Sequence, residues 1–332
     1  MRHRTAPVLA LVAVAVLLVT ACGPTLGPIT KLASIPAPVL PETSDPSVVR
    51  VGREYFLYGS NNHLRAPITR LPRMDQKLTL TQKNAVTREG MPTKPAWTAH
   101  DMQLWAPTVA QFGTRWVMFF SADRRNPPQR HNPQCVGRAF ATSPLGPFVP
   151  EAKAWHCGRN GTGGALDPQL FTDRQGRRWL HVAMGDTESP IHAIRLDGNA
   201  NQVGSSTAIL SRVHGWEYHF IEQPAMVYDA SRGNYLLAYS AGKWWEARYS
   251  TGIARCSSPS GPCTSDASGP WIRSSAGRTG PGGLSWFTDT SGAPHAIFST
   301  FAQGGETQVG GRSATVMKLN TQPTVHLQRA TR

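Results

Sequence analysis

The sequence predicts an all-β protein: a five-bladed β-propeller built from four-stranded blades. Three observations carry this expectation. Outside the first 20 residues no long stretch shows a 3.6-residue apolar period, and 31 Gly with 27 Pro in 332 residues point to many turns. Five segments share one pattern: a small or polar residue, usually followed by Pro, then alternating apolar residues, a Gly-containing turn and an aromatic-rich strand. The pattern is regular, because its aligned positions Pro46, Pro107, Pro168, Pro224 and Leu284 lie 61, 61, 56 and 60 residues apart.

The chain begins outside this repeat. Arg2 and Arg4 precede the apolar run APVLALVAVAVLLVTAC, a positive n-region followed by an h-region too short to span a bilayer comfortably. Its end, Leu18-Val19-Thr20-Ala21-Cys22, resembles the lipobox of bacterial lipoproteins, which implies a signal peptide over 1–21 and a lipid on Cys22. An ordinary signal peptide with an incidental cysteine is the alternative. Residues 22–40 are rich in Pro and Gly and read as a tether, leaving 41–332 for the propeller.

The hairpins follow in order: SDPSVVRVGREYFLYGS, WAPTVAQFGTRWVMFFSA, LDPQLFTDRQGRRWLHVAMG, EQPAMVYDASRGNYLLAYSA and GGLSWFTDTSGAPHAIFSTF. Asp173 and Asp289 fall at their turns and read as turn residues. A second repeat lies within the first, since VGRAFATSPLGPF (136–148) and TGIARCSSPSGPC (251–263) share Gly-x-Ala and Ser-Pro-x-Gly-Pro. Each unit of about sixty residues thus holds a hairpin plus a further strand and turn, and radial repetition of such units protects sheet edges. An irregular sandwich is the competing architecture.

Export sets the redox context. Apart from Cys22, four cysteines remain, and two disulfides are expected, Cys135–Cys157 and Cys256–Cys263 being the most local of three pairings. Structural zinc is disfavoured, because neither pair has C-x₂₋₄-C spacing. The net charge of +14 falls to +12 without Arg2 and Arg4, and the arginines are scattered. A basic surface facing anionic lipid or wall polymer fits this better than a nucleic-acid partner.

In a propeller the entrances of the innermost strands converge at one mouth. Here those entrances carry Asp45, Ala106, Asp167, Glu222 with Gln223, and Gly283. Gathering three carboxylates is costly, because like charges raise one another's pKa, and stability alone would not select them. Trp244 and Trp245 read equally as a rim platform and as core.

Between Thr43 and Leu319 these motifs together resemble glycoside hydrolase family 43. They are Ser-Asp-Pro before the first hairpin, Trp105-Ala106-Pro107, the Gly-x-Ala…Ser-Pro-x-Gly-Pro-Phe segment, Leu166-Asp167-Pro168, and Glu222-Gln223-Pro224. The resemblance implies that Asp45 is a general base, Glu222 a general acid and Asp167 the group that tunes and positions the acid. It also implies that Arg312 approaches substrate, while Trp105 reads equally as the floor of a sugar site and as packing between blades. Inverting hydrolysis places its two carboxyls about 6.5–9.5 Å apart to admit a water; a retaining enzyme, with Asp45 as nucleophile, would hold them about 5–5.5 Å apart.

The expected substrates are arabinofuranosyl or xylosyl poly- and oligosaccharides, handled by a monomer on the outer face of the membrane. Loops such as Asn61–Arg73 and Arg124–Gln134 would set pocket depth. The chain departs from the family pattern at Thr108, often Asp; at Gln223, usually Gly; and at Gly283, often a His that helps to hold a channel metal or water. No metal or other cofactor is therefore expected. A non-catalytic carbohydrate-binding propeller is the alternative function.

Overall fold

The computed structural model describes residues 32–60, 62–99, 104–127, 133–158, 164–185, 190–275, 277–302 and 311–319. Cys22 lies outside them. The strands form five antiparallel sheets, each starting with one of the five hairpins. Blade one holds β1 (Ser47–Val51), β2 (Glu54–Tyr58), β3 (Pro67–Leu71) and β4 (Thr87–Glu89). Blade two holds β5 (Trp105–Phe112), β6 (Arg115–Asp123), β7 (Gln134–Ala141) and β8 (Val149–Pro150). Blade three holds β9 (Ala165–Thr172), β10 (Arg178–Met184), β11 (Ile191–Leu196) and β12 (Gln202–Leu210). Blade four holds β13 (Ile221–Asp229), β14 (Asn234–Ala241), β15 (Ser250–Cys256) and β16 (Cys263–Ser265).

Blade five has three strands of its own, β17 (Arg278–Thr288), β18 (Pro294–Ala302) and β19 (Ser313–Lys318). Its fourth position is taken by the start of the described chain, where Leu40 pairs antiparallel with Ala314. Ile35 and Leu40 are buried, and the Thr43 N–H donates to the Arg312 carbonyl at 2.7 Å. Prolines keep this stretch extended and out of any helix; its apolar side chains still find a core.

Five apolar clusters hold the ring, each shared by two successive blades. The last joins Val48, Tyr55 and Leu57 of blade one to Phe287 and Ile297 of blade five, with Leu40 between. The hairpin turns follow the expected pattern: Gly52, Gly113, Gly176, Gly233 and Gly292 all have φ between +59° and +85°, where a Cβ is penalised. Asp173 and Asp289 accept backbone N–H bonds within their own turns.

The Gly-x-Ala repeat serves packing. A Cβ on Gly137 would overlap Phe120 and Trp97, and one on Gly252 would overlap Tyr239 and Trp216. Both glycines make room for stacked rings, Trp97 on Phe120 at 6.0 Å and Trp216 on Tyr239 at 5.9 Å. Both expected disulfides form, Cys135–Cys157 and Cys256–Cys263.

Two details differ from expectation. The stretch Asn61–Arg73 is not all loop, because it contains β3. A single helical turn and a half, α1 (Leu80–Ala85), interrupts blade one, started by a capping box between Thr79 and Gln82. Its Lys83 is buried, and its Nζ donates to the Glu42 carbonyl at 2.5 Å. Among the described residues no helix is long and apolar enough to cross a membrane.

Candidate active site

Each inner strand enters the channel through the same distortion. Asp45, Ala106, Asp167, Gln223 and Gly283 have φ of +49°, +44°, +53°, +51° and +67°. Four of the five are not glycine, and a left-handed residue with a Cβ costs on the order of 1–3 kcal/mol. In blades two to five the register shifts at this point, as β-bulges do when they re-aim side chains. Proline, which cannot donate to a sheet, follows in four blades and fits a bulge. The proline at the hairpin entrance thus belongs to the device that turns the preceding residue into the channel.

The five left-handed residues line one narrow cavity together. A larger cavity at the opposite end of the channel is lined by residues such as Val49, Gln111, Phe171 and Trp286, and none of its lining residues is a carboxylate. Serines fix the ring from behind. Ser60 Oγ accepts the Ala106 N–H at 2.9 Å, Ser121 Oγ accepts the Asp167 N–H at 2.7 Å, and Ser240 Oγ accepts the Gly283 N–H at 3.0 Å. Blade three has Ala183 at the corresponding place, and there the Gln223 N–H is hydrogen-bonded to the Asp167 carboxylate instead.

Gln223, and not Glu222, is the strict counterpart of Asp45 and Asp167. Glu222 stands one residue earlier, opposite Ser240 on β14, at the level that Trp105 occupies opposite Ser121 in blade two. It is buried, and Tyr249 Oη donates to its Oε1 at 2.5 Å. Gln223 links the acids: its Nε2 donates to Asp45 Oδ1, while its Oε1 accepts from Ser240 at 3.0 Å and lies 3.1 Å from Tyr249 Oη, whose single proton is directed mainly at Glu222. Ser60 donates to the other oxygen of Asp45. An amide and a phenol therefore stand between Asp45 and Glu222.

Gly283 makes this link possible. A Cβ there would lie 3.0 Å from Asp45 Oδ1 and 3.1 Å from Gln223 Oε1. The two departures at 223 and 283 are thus one exchange, a larger side chain on blade four for an absent one on blade five. Gly283 brings no side-chain ligand, and Asp45 Oδ1 already accepts a hydrogen bond from Gln223 Nε2. Among the described residues no group of three or more His, Cys, Asp and Glu side chains is placed to hold a metal ion.

Burial raises the Glu222 carboxyl to about 7, with the charge of Asp45 adding to the rise and the Tyr249 bond and Arg312 opposing it. Burial first, then Glu222 and Asp45, hold Asp167 well above the ordinary carboxylate range. Tyr249, also buried and beside Glu222, is pushed upward and remains a donor. Replacing Tyr249 by Phe removes a bond that favours the charged acid. A Tyr249→Phe protein is therefore expected to move the alkaline limb of its kcat/KM profile to higher pH; an unmoved limb would exclude Tyr249 from setting it.

Arg312 lies buried beside this network. Its guanidinium donates to Ser299 Oγ at 3.0 Å, to the Gly280 and Ser299 carbonyls at 2.7 Å each, and to the Trp244 carbonyl at 3.3 Å. Four of its five N–H groups are thus committed to partners among the described residues. Trp105 is half-buried at the head of β5. Sequence reasoning missed Tyr249 and the serines. Tyr249 had one signal: the segment before Gly252 carries a tyrosine where the matching segment before Gly137 has Gln134.

Comparison with known proteins decides the lineage. Residues 35–323 match the family described as Glycosyl hydrolases family 43. The chain belongs to that family. An extracellular endo-alpha-(1->5)-L-arabinanase of Thermotoga petrophila is 25% identical over 241 residues, covering 66% of this chain and 50% of its own length. An extracellular endo-alpha-(1->5)-L-arabinanase of Bacillus subtilis is 24% identical over 228 residues, 66% of either chain. This family 43 chain therefore spans about half to two thirds of the length of those relatives. The crystal structure of a thermostable family-43 glycoside hydrolase superposes with a TM-score of 0.71 at 19% identity, covering 92% of this chain and 98% of that one, which shows the shared fold.

Proposed function

We propose that this family 43 chain is an exported, lipid-anchored glycoside hydrolase that cleaves arabinofuranosyl or xylosyl linkages with inversion. The observation that supports it best is Glu222, a buried carboxyl raised to about 7 in the same ring as Asp45, whose two oxygens accept from Ser60 and Gln223. Near neutral pH such a carboxyl still holds a proton to give.

Asp45 takes a proton from a water as that water attacks the anomeric carbon. Glu222 protonates the glycosidic oxygen as the carbon–oxygen bond breaks. Tyr249 donates to Oε1 of Glu222, so the transferable proton belongs on Oε2. Asp167, whose carboxyl burial holds well above the ordinary range, accepts the Gln223 N–H and positions that backbone. The water's approach from the face opposite the leaving group inverts the anomeric centre. The names of the two relatives favour α-1,5-linked arabinan among the possible substrates and favour action outside the cell, where Cys22 would anchor the protein to the membrane.

One observation favours a second reading, a carbohydrate-binding propeller without turnover: Gln223 already occupies Asp45 Oδ1. The test is hydrolysis by Gly23–Arg332 of aryl α-L-arabinofuranoside, aryl β-D-xyloside, arabinan and xylan, with the anomer released followed by NMR. Release of the inverted sugar supports the proposal, and release of the retained sugar makes Asp45 a nucleophile. Oligosaccharide binding without cleavage supports the second reading.

A further inference from the structure

All ten tryptophans of the chain lie among the described residues, and only Trp244 and Trp245 are exposed, at 51% and 37%. The other exposed large apolar residues are aliphatic: Leu80, Val86, Val149, Val203 and Val213. Leaving two indoles in water is unfavourable, and nothing in the packing of blade four requires it.

Their position is informative. β13 begins at the channel mouth with Glu222, β14 returns to the mouth, and residues 242–249 join β14 to β15 on that same side. The two indoles meet edge to face, their centroids 5.5 Å apart and their planes at 85°, so one can form a floor and the other a wall. Tyr249, the donor to Glu222, ends this loop.

The loop is also tied down. The Trp244 carbonyl accepts from Arg312 at 3.3 Å, and the Glu246 N–H donates to the Lys243 carbonyl at 2.9 Å. Lys243 Nζ lies 3.3 Å from Glu246 and 5.9 Å from the centroid of the Trp245 ring. Glu246 accepts from Tyr218 at 2.9 Å and Arg248 at 2.8 Å, and these bonds hold its carboxyl at about 2. A preorganised aromatic surface loses little entropy when it binds.

We propose that Trp244 and Trp245 form a subsite for a further sugar ring of a polysaccharide chain, held at a fixed distance from the bond Glu222 protonates. The inference rests on the hydrolase reading and deepens it. Sugar rings present C–H faces to an indole, and a flat aromatic surface accepts them beside a polar, hydrogen-bonding cleft. The subsite makes the protein prefer chains to short glycosides.

The test compares wild type, Trp244→Ala, Trp245→Ala and the double variant on the polymer that wild type cleaves best, arabinan or xylan, and on the matching aryl monoglycoside. The expected result is a fall of about tenfold in the ratio of kcat/KM for polymer over aryl glycoside, carried by a higher KM for polymer. In parallel, indole fluorescence of the Glu222→Gln protein should change with linear α-1,5-arabino-oligosaccharide or xylo-oligosaccharide, and stop changing when both tryptophans are removed.

An unchanged ratio with unchanged fluorescence overturns the subsite, even if Glu222→Gln is inactive and the hydrolase reading stands. The converse is equally clear. Tryptophan-dependent fluorescence in a wild type that cleaves nothing overturns the hydrolase reading and keeps the sugar site. Loss of binding to anionic phospholipid vesicles, with the polymer ratio intact, would assign the pair to the membrane surface and overturn the subsite.

Discussion

Glu222→Gln is expected to lower turnover of polymeric substrate by about 10²- to 10⁴-fold, the usual contribution of a general acid. The loss should depend on the leaving group. A sugar alkoxide leaves poorly without a proton, whereas a dinitrophenolate needs little help, so an aryl glycoside with that aglycone should retain far more activity. Equal losses on both substrates would mean that Glu222 does something other than protonate the departing oxygen.

The same substitution should raise stability. The Glu222 carboxyl is raised to about 7 in the folded chain, against an ordinary 4.5 when exposed. Between those pH values the folded state binds the extra proton, so the carboxyl's destabilisation is absent below 4.5 and complete above 7. By that linkage the cost at pH 8 is about 3 kcal/mol. Glu222→Gln should therefore melt higher than wild type at pH 8 and show little difference at pH 4.5. A difference that grows toward acid would refute the assignment.

Arg312→Leu has the second largest expected effect, and it is mainly one of folding. Arg312 is the buried cation that acts on both Asp45 and Glu222, and it ties together Gly280, Ser299 and Trp244. Removing one partner of a buried charge network costs about 3–5 kcal/mol. For a chain of this size the melting temperature should drop on the order of 10 °C. Arg312→Lys keeps the charge without the planar fork, and should lie between wild type and Leu in stability. If Lys and Leu variants melt alike, geometry and not charge is what Arg312 supplies. Whatever activity Arg312→Leu retains should extend to higher pH, because Arg312 lowers the Glu222 pKa.

Much of this was legible because a propeller writes its symmetry into the chain. Four prolines and Leu284 at near-constant spacing predicted the blades, and carboxylates at three of the five marked entrances predicted the acids that meet in the channel. The parts that escaped depend on partners far apart. The bond from Gln223 to Asp45 joins residues 178 positions apart, and neither flanking motif announces it. Tyr249 follows a loop with no period. The outer strand of blade five is a pairing centred on Leu40, too short to alternate, within a stretch whose prolines suggested a tether. The helix α1 had a readable start in Thr79 and Gln82 but spans too few residues to show 3.6-residue periodicity.

The closing strand has a consequence for when the protein can work. Leu40 seals blade five against Ala314, and Asp45 enters the channel only five residues later. Between them Glu42 is held by Lys83 and Thr43 by the Arg312 backbone. The first blade's acid is thus delivered by the same short length of chain that locks the last blade to the first. A molecule whose first and last blades have not met does not have Asp45 in the channel, whatever the state of its other blades. If the proposed function holds, competence is a report of completion, and a partly folded chain, or one nicked near Leu40, would lack the Asp45 on which turnover depends.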